Sequence, residues 1–159
     1  MENKFQEAER FRYLILAAQR QGNRILKVLL KDIGVTPSQA EVISVLKHNQ
    51  PVTLKALGSL LICEEGSPSR LVERMVKEKF VERIREKIDS RYVRLALTDL
   101  GNEKYLQIVA VETNLYEMLA KLYTRGELQQ TNQMLSKLLV DSPLSYALNE
   151  REIIDKPEA

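Results

Sequence analysis

The sequence predicts a mostly α-helical protein of the α+β class, in which a helix-turn-helix is followed by one β-hairpin. Apolar residues recur at spacings of three and four along most of the 159 residues, whereas near residues 81–97 the spacing shortens to two, as at Val93, Leu95 and Leu97. A chain of this length supports one sizeable core and is too short for several independent domains. We therefore expect one compact unit, together with any partner copy of it.

The first helices are predicted from periodicity and from their caps. Residues 5–30 form a long amphipathic helix, weakened only at Gly22. In T36-P-S-Q39, Thr36 suits the N-cap and Gln39 can complete a capping box, which starts a second helix that runs to about residue 48. Thr53 then caps a short helix, whose inward residues are Leu54, Leu57, Leu60 and Leu61.

A second helix of the helix-turn-helix is predicted from Ser67, as N-cap, and Pro68 to about residue 79. A hairpin follows, with Val81 and Ile84 before its KIDS turn and alternating apolar residues after it. Thr98 caps a helix of about 25 residues, roughly 37 Å long at 1.5 Å per residue. A helix of that length must pack on another element.

A last helix opens at the capping box T124-R-G-E127 and ends at the Ser-Pro of residues 142–143. The predicted division is therefore a winged helix-turn-helix in residues 35–98 between two parts of a helical region, residues 1–34 and 99–142. The state of the tail, residues 143–159, is not predicted by its mixed pattern.

The second helix of the helix-turn-helix has one polar and one apolar face. At 100° per residue, one half of its surface carries Ser69, Arg70, Glu73, Arg74 and Lys77, and the other carries Leu71, Val72, Met75 and Val76. For an arbitrary helix the simplest interpretation of such a polar face is a solvated surface.

The distribution of charge favours a different interpretation. The whole chain has a net charge of +2, but residues 70–94 carry nine Lys or Arg against five Asp or Glu, a local balance of 9 − 5 = +4. Basic charge is therefore concentrated on one helix and the hairpin after it, the two elements able to engage the major groove of DNA and the backbone or minor groove beside it.

The stretch DSRYVRLALT, residues 89–98, predicts a specific wing tip. Asp89 and Ser90 favour the turn, and the Asp89 carboxylate can bind backbone amides or the Arg91 guanidinium. An arginine held in a fixed direction can enter a narrow minor groove, where the negative potential is strongest.

The composition argues against several other classes of protein. The single cysteine, Cys63, cannot form an internal disulfide, and no secretory signal or run of 18 apolar residues is present, so we expect a cytoplasmic protein without a membrane partner. His48 is the only histidine, and no catalytic motif, metal-ligand set or cofactor-binding loop is found. We therefore expect neither an enzyme nor a cofactor.

Cys63 and the tyrosines of the long helix each have a simple structural interpretation. Cys63 is a small apolar residue in the turn. Tyr105, Tyr116 and Tyr123 suit a dimer interface.

The sequence resembles the MarR (multiple antibiotic resistance regulator) family of bacterial winged-helix transcription factors. The resemblance rests on D89-S-R91, five residues, and then L97-T98-D-L-G101, preceded by S69-R-L-V-E-R-M75 and F80-V-E-R83, and it extends from about residue 11 to residue 139. Two departures are Glu64 and Glu65, acidic residues just before the recognition helix, and Arg-Glu-Lys-Ile at the wing turn.

The resemblance implies a homodimer, most often a repressor, in which the terminal helices of two copies interlace and each recognition helix reads double-stranded DNA. It also implies that a small aromatic effector can release the DNA, and that the bound protein is associated with the nucleoid. By the same resemblance, Tyr105, Tyr116 and Tyr123 could line the effector pocket instead of a dimer interface, and Cys63 could be a redox switch near the DNA-reading helix. The residues expected at DNA, from the resemblance and the basic cluster together, are Ser67, Ser69, Arg70, Arg74, Lys77, Arg85, Lys87, Asp89 and Arg91. Glu64 and Glu65 motivate the main alternative, a winged-helix module that binds another regulator instead of DNA.

Overall fold

The computed structural model describes residues 3–63, 66–89 and 91–154. Over these residues the protein is mostly helical with a two-stranded antiparallel sheet, which confirms the predicted fold class. The helices are α1 Gln6–Leu30, α2 Pro37–Asn49, α3 Leu54–Leu60, α4 Pro68–Lys77, α5 Asp99–Leu122, α6 Arg125–Leu139 and α7 Ser145–Glu150, and a 3₁₀ turn, Lys31–Ile33, follows α1. The strands are β1 Val81–Arg85 and β2 Val93–Leu97.

The capping residues predicted from sequence start their helices as expected. The Thr36 hydroxyl accepts a hydrogen bond from the Gln39 amide (3.2 Å), and the Gln39 side chain accepts one from the Thr36 amide (3.0 Å). Thr124 and Glu127 repeat this arrangement at α6. Each capping box satisfies two amides that have no partner within the helix, so both predicted boxes are confirmed.

One local prediction is wrong, and two others hold in position but not in every detail. Leu54 is 37% exposed, because it occupies the first position of α3, at the edge of the core. Ile84 is 42% exposed, since three residues along a strand from the buried Val81 its side chain emerges on the opposite face. Ser67 is the N-cap of α4, as predicted, but its hydroxyl pairs with that of Ser69 (2.7 Å) instead of accepting from a helix amide.

The core is centred on α2 and lies mostly within the winged part of the chain. Its largest fully buried side chains come from five helices and the first strand: Leu30, Val42, Ile43, Leu46, Leu57, Met75, Val81 and Ile108. The hairpin pairs Val81 with Leu97 and Arg85 with Val93. Val52 forms an isolated antiparallel bridge to β2. Its amide donates to the Leu95 carbonyl (3.1 Å), and its carbonyl accepts from the Leu95 amide (2.7 Å).

Helix α4 ends in a Schellman motif. The Phe80 amide donates to the Met75 carbonyl (3.0 Å), and the Lys79 amide donates to the Val76 carbonyl (3.1 Å). Lys79 adopts the left-handed conformation (φ 65°) that this motif requires and that glycine normally supplies. The buried Phe80 and Met75 provide the apolar contact across the motif. This ending turns the chain sharply from the recognition helix into β1.

The start of α5 is joined to the end of α4 by Thr98 and Gly101. The Thr98 hydroxyl donates to the Lys79 carbonyl (2.5 Å) and accepts from the Gly101 amide (3.0 Å), and the Thr98 amide donates to the Phe80 carbonyl (3.1 Å). A Cβ built on Gly101 would lie only 2.2 Å from the Phe80 carbonyl oxygen. Glycine at this position is what allows α5 to approach the backbone so closely.

The long terminal helices leave many apolar side chains uncovered. Of the described α1 residues only Leu30 is buried. Exposed apolar residues on α1, α5 and α6 include Phe11, Leu14, Leu16, Val28, Leu106, Val109, Leu122, Met134 and Leu138. No helix in the described part of the chain is both long and apolar enough to cross a membrane.

The unassigned tail contains a helix. Residues 145–150 form α7, and Ala147, Leu148 and Ile154 are buried. Residues 155–159 lie outside the described residues. The tail therefore has an ordered part that the mixed sequence pattern did not indicate.

We expect Gly101→Ala to lower the free energy of unfolding by about 1–3 kcal/mol, because the added methyl group must displace a backbone carbonyl rather than a flexible side chain. Chemical denaturation measures this change. Gly126→Ala is the matched control, since its Cβ would meet open space and alanine favours a helix by up to about 1 kcal/mol. Equal stability of the two variants would contradict the close approach at Gly101.

Candidate nucleic-acid interface

Helix α4 presents the two faces that its sequence predicts. Val72 and Met75 are buried, and Leu71 and Val76 are half-buried. The exposed residues are Ser69, Arg70, Glu73, Arg74 and Lys77. Three cations and one carboxylate therefore point to solvent along a helix that is anchored from behind by the core.

The segment that leads into α4 is only partly described. Glu64 and Glu65, the acidic pair that motivated a protein-binding module, lie outside the described residues. Ser67 and Ser69 are exposed at the start of the helix with their hydroxyl groups 2.7 Å apart. Hydroxyl groups at a helix N-terminus suit phosphate, because the helix dipole favours negative charge there.

The wing tip is built around a bidentate ion pair. The Arg91 Nε donates to Oδ1 of Asp89 (3.0 Å), and its Nη2 donates to Oδ2 (2.8 Å). The Arg91 amide also donates to Oδ1 (3.0 Å). These bonds confirm that Asp89 binds both a backbone amide and the Arg91 guanidinium, while Ser90 lies outside the described residues.

The same contact shifts the pKa values of both groups. Hydrogen bonds from the Arg91 side chain, and then from its amide, lower the pKa of Asp89 below its usual value. The bond to Asp89 raises the pKa of Arg91. The Arg91 side chain is 87% exposed and that of Asp89 is 27% exposed. The carboxylate therefore directs the guanidinium while leaving most of it accessible.

A groove lies between the recognition helix and the wing. It has a volume of about 380 Å³ and is lined by Leu54, Ser69, Val72, Arg83, Arg85, Val93 and Leu95. Ser69 of α4 and Arg85 of the wing, both predicted site residues, are thus brought to one surface. Lys87 and Arg91 are exposed further along the hairpin.

Arg83 is a basic residue of this groove that the predicted site did not include. It follows the buried Val81 by two residues and precedes Arg85 by two, so the three share one face of β1. This alternation was the available signal. On the neighbouring strand, Arg94 is instead paired with Glu86, with Nε 2.6 Å from Oε1.

The sensor residues considered from sequence are spread over other parts of the molecule. Cys63 is exposed, which argues against a packed apolar role for it. Tyr105 places its hydroxyl 3.3 Å from Nε2 of His48, while Tyr116 and Tyr123 are about half exposed. Over the three described ranges, no cluster of His, Cys, Asp and Glu could hold a metal ion.

Comparisons with known proteins agree with this architecture. The family model described as "Winged helix DNA-binding domain" matches residues 35–101. The organic hydroperoxide resistance transcriptional regulator of Bacillus subtilis is 28% identical over 104 residues, which are 64% of this chain and 71% of that protein. The HTH-type transcriptional regulator MgrA of Staphylococcus aureus is 26% identical over 132 residues, 82% of this chain and 88% of MgrA.

A solved structure matches nearly the whole fold. A cysteine-to-serine variant of MarR from E. coli, complexed with operator DNA, superposes with a TM-score of 0.75 and 26% identity, over 87% of this chain and 99% of that one. These relatives are transcriptional regulators and not enzymes. Together with the helix-turn-helix, the wing and the long flanking helices, they show that residues 35–101 form a winged-helix DNA-binding domain and that the chain is similar to MarR-type transcriptional regulators over most of its length.

Proposed function

We propose that the protein is a homodimeric repressor that binds a pseudo-palindromic operator in double-stranded DNA and is associated with the bacterial nucleoid while bound. In each protomer, α4 lies in the major groove and contacts bases and phosphates through Ser69, Arg70, Arg74 and Lys77, with Ser67 at its N-terminus. The hairpin follows the adjacent backbone through Arg85 and Lys87, and Arg91, directed by Asp89, enters the minor groove.

The bidentate contact between Asp89 and Arg91 is the observation that carries this proposal. A free arginine on a wing loses side-chain entropy when it enters a groove, whereas one already held by a carboxylate and by its own amide has lost part of that freedom beforehand. Asp89 would repel phosphate if it stood alone. Its pairing with an arginine that projects past it makes the wing tip suited to a negatively charged groove.

The exposed apolar faces of α1, α5 and α6 support a dimer. Leu14 is 63% exposed, Leu106 is 69% exposed and Leu138 is 61% exposed, although each lies on a long amphipathic helix. Apolar surface of this extent on a monomer marks an association surface. A two-fold axis through these helices would place two recognition helices about one DNA turn apart, roughly 34 Å.

A small aromatic effector is the signal that we propose for release. A cavity of about 590 Å³ lies where α2, α5 and the residues after α7 meet, and it is lined by both polar groups and rings, among them Ser44, His48 and Tyr116. Its volume falls in the usual range for small-molecule pockets. The alternative is that Tyr116 packs against the partner copy in the dimer interface and lines no effector pocket.

We expect Arg91→Ala to weaken operator binding by about 1–3 kcal/mol with the dimer intact, because a directed minor-groove contact is lost. Fluorescence anisotropy with the protein's own upstream intergenic DNA and with a scrambled duplex, at several salt concentrations, measures this. Asp89→Asn should have a smaller effect of the same sign, since the cation remains but the charged acceptor that directs it is gone.

Lys87→Ala is the matched control on the same wing. A lysine at phosphate contributes equally to any sequence, so its loss should weaken both duplexes alike and reduce the salt slope by about one. An unchanged operator affinity for Arg91→Ala would remove the proposed wing role. Weak, salt-insensitive binding of the unaltered protein to both duplexes would favour the protein-binding module.

We expect the protein to sediment at about twice its chain mass of 18.3 kDa, and Leu14→Glu to shift it toward the monomer, because a carboxylate would be buried in the interface. Ile88→Glu is the control, since Ile88 is fully exposed on the wing and should leave the mass unchanged. A monomeric unaltered protein at micromolar concentration would contradict the proposed assembly.

A further inference from the structure

The C-terminal helix α7 packs on the winged part of the same chain. It lies against α3, with Ala147 and Leu148 buried, and the chain after it returns so that the Ile153 amide donates to the Leu148 carbonyl (2.9 Å). This return places Arg151 beside the C-terminal end of α3. The tail is thus attached to the helix-turn-helix, at a distance of more than 80 residues along the sequence from α3.

Besides this apolar packing, a single carboxylate of α2 joins the tail to the turn after α3. Oε1 of Glu41 accepts hydrogen bonds from the amides of Ile62 (2.9 Å) and Cys63 (2.8 Å), and Oε2 accepts one from Nη1 of Arg151 (2.7 Å). The same nitrogen of Arg151 donates to the Leu60 carbonyl (3.2 Å). One guanidinium and one carboxylate therefore connect α2, α3, α7 and the turn that leads to the recognition helix.

Burial makes this contact different from the surface ion pairs of the protein. The Glu41 side chain is only 8% exposed and that of Arg151 is 23% exposed, whereas the pair of Arg10 and Glu7 on α1 is 64% and 82% exposed. Removal of Arg151 would leave a buried carboxylate without its counter-charge. Such a group draws in water or moves toward it, and the two turn amides that it accepts from would lose their fixed partner.

Arg151 also acts on the long helix α5. Burial raises the pKa of Glu112, and the positive charge of Arg151 opposes that shift. The pKa of Tyr116 is raised, first by burial and then by the negative charge of Glu112. The positive charge of Arg151 opposes this rise as well. The charge that secures the turn before α4 is therefore also felt by the helix that continues into the proposed dimer interface.

We propose that α7 is a strut that holds the turn at residues 61–63, and that Arg151 is a positioning residue for the recognition helix, acting through Glu41. Its consequence for DNA rests on the proposed function. Arg151 is not among the proposed DNA contacts. Its effect on the operator is exerted through the turn at residues 61–63, which precedes α4 in the chain.

The test measures two quantities separately, the hydrogen-exchange rates of the turn amides and the affinity for operator DNA. In the full-length protein, Arg151→Ala should raise the hydrogen-exchange rates of the Ile62 and Cys63 amides by about tenfold or more relative to that of Val42 in the buried part of α2. It should also weaken operator binding by about tenfold while the salt slope stays unchanged, since no phosphate contact is lost. Arg151→Lys, which keeps the charge, should recover part of both effects.

Two further variants make the result decisive. Arg10→Ala, which removes an exposed ion pair on α1, should change neither quantity. Glu41→Gln keeps a carbonyl oxygen for the turn amides but removes the ion pair, so it should give smaller changes of the same sign. It serves as the test if Arg151→Ala does not fold. Unchanged exchange at Ile62 and Cys63 would overturn the strut, and faster exchange with undiminished operator affinity would overturn the positioning role.

The exchange measurement does not require DNA. If the unaltered protein binds no duplex, the proposed function fails, whereas the amides of Ile62 and Cys63 still decide whether α7 secures the turn. A salt slope reduced by about one in Arg151→Ala would identify a direct phosphate contact and would also overturn the positioning role.

Discussion

The contact of Thr98 and Gly101 with the backbone at Phe80 is the constraint on which the geometry of the winged part depends. The chain leaves α4, forms the hairpin and then begins α5, and this contact joins the two ends of that segment. Because Phe80 also completes the Schellman motif, the end of α4, both ends of the hairpin and the start of α5 meet at one place. The recognition helix and the wing are therefore fixed to each other, and both are fixed to the helix that leads to the proposed dimer interface.

Around this junction, ion pairing separates basic residues into two kinds. Arg91 and Arg94 have carboxylate partners on the hairpin itself. Arg70, Arg74 and Lys77 project from α4 along an exposed face. The first kind is suited to a contact of defined direction, and the second to phosphates that can be met from many directions. A single basic patch thus contains the two modes of contact that protein–DNA recognition combines.

The parts of the fold that could be predicted from the sequence depend on interactions between near neighbours. Thr36 with Gln39, and Asp89 with Arg91, lie two or three residues apart, so their spacing already contains the geometry. Ser67 has the right position for a cap, but its hydroxyl found a competing partner two residues away. The helical pattern of the sequence also did not predict the left-handed conformation of Lys79, which glycine adopts more readily.

The unpredicted parts depend on distant pairing. Glu41 and Arg151 are 110 residues apart, and neither their spacing nor the composition of the tail indicates that they meet. Gly101 was identified from sequence only as part of the pattern shared with the MarR family. The physical reason for glycine there, the close approach of the Phe80 carbonyl, is visible only in the structure. The site residues of α4 and the hairpin were predictable as a basic cluster, and the alternation of Val81, Arg83 and Arg85 along β1 could have added Arg83.

The lowered pKa of Asp89 has a consequence for the environments in which the wing keeps its shape. A carboxyl group whose folded-state pKa is depressed contributes its stabilisation above the ordinary value of 3.8 and loses it only as the pH falls through the lower folded value. Arg91 stays charged over the same interval, since its pKa is raised. The ion pair of Asp89 and Arg91 therefore stays charged at both ends in mild acid, and the hydrogen bonds that shape the wing tip are kept there.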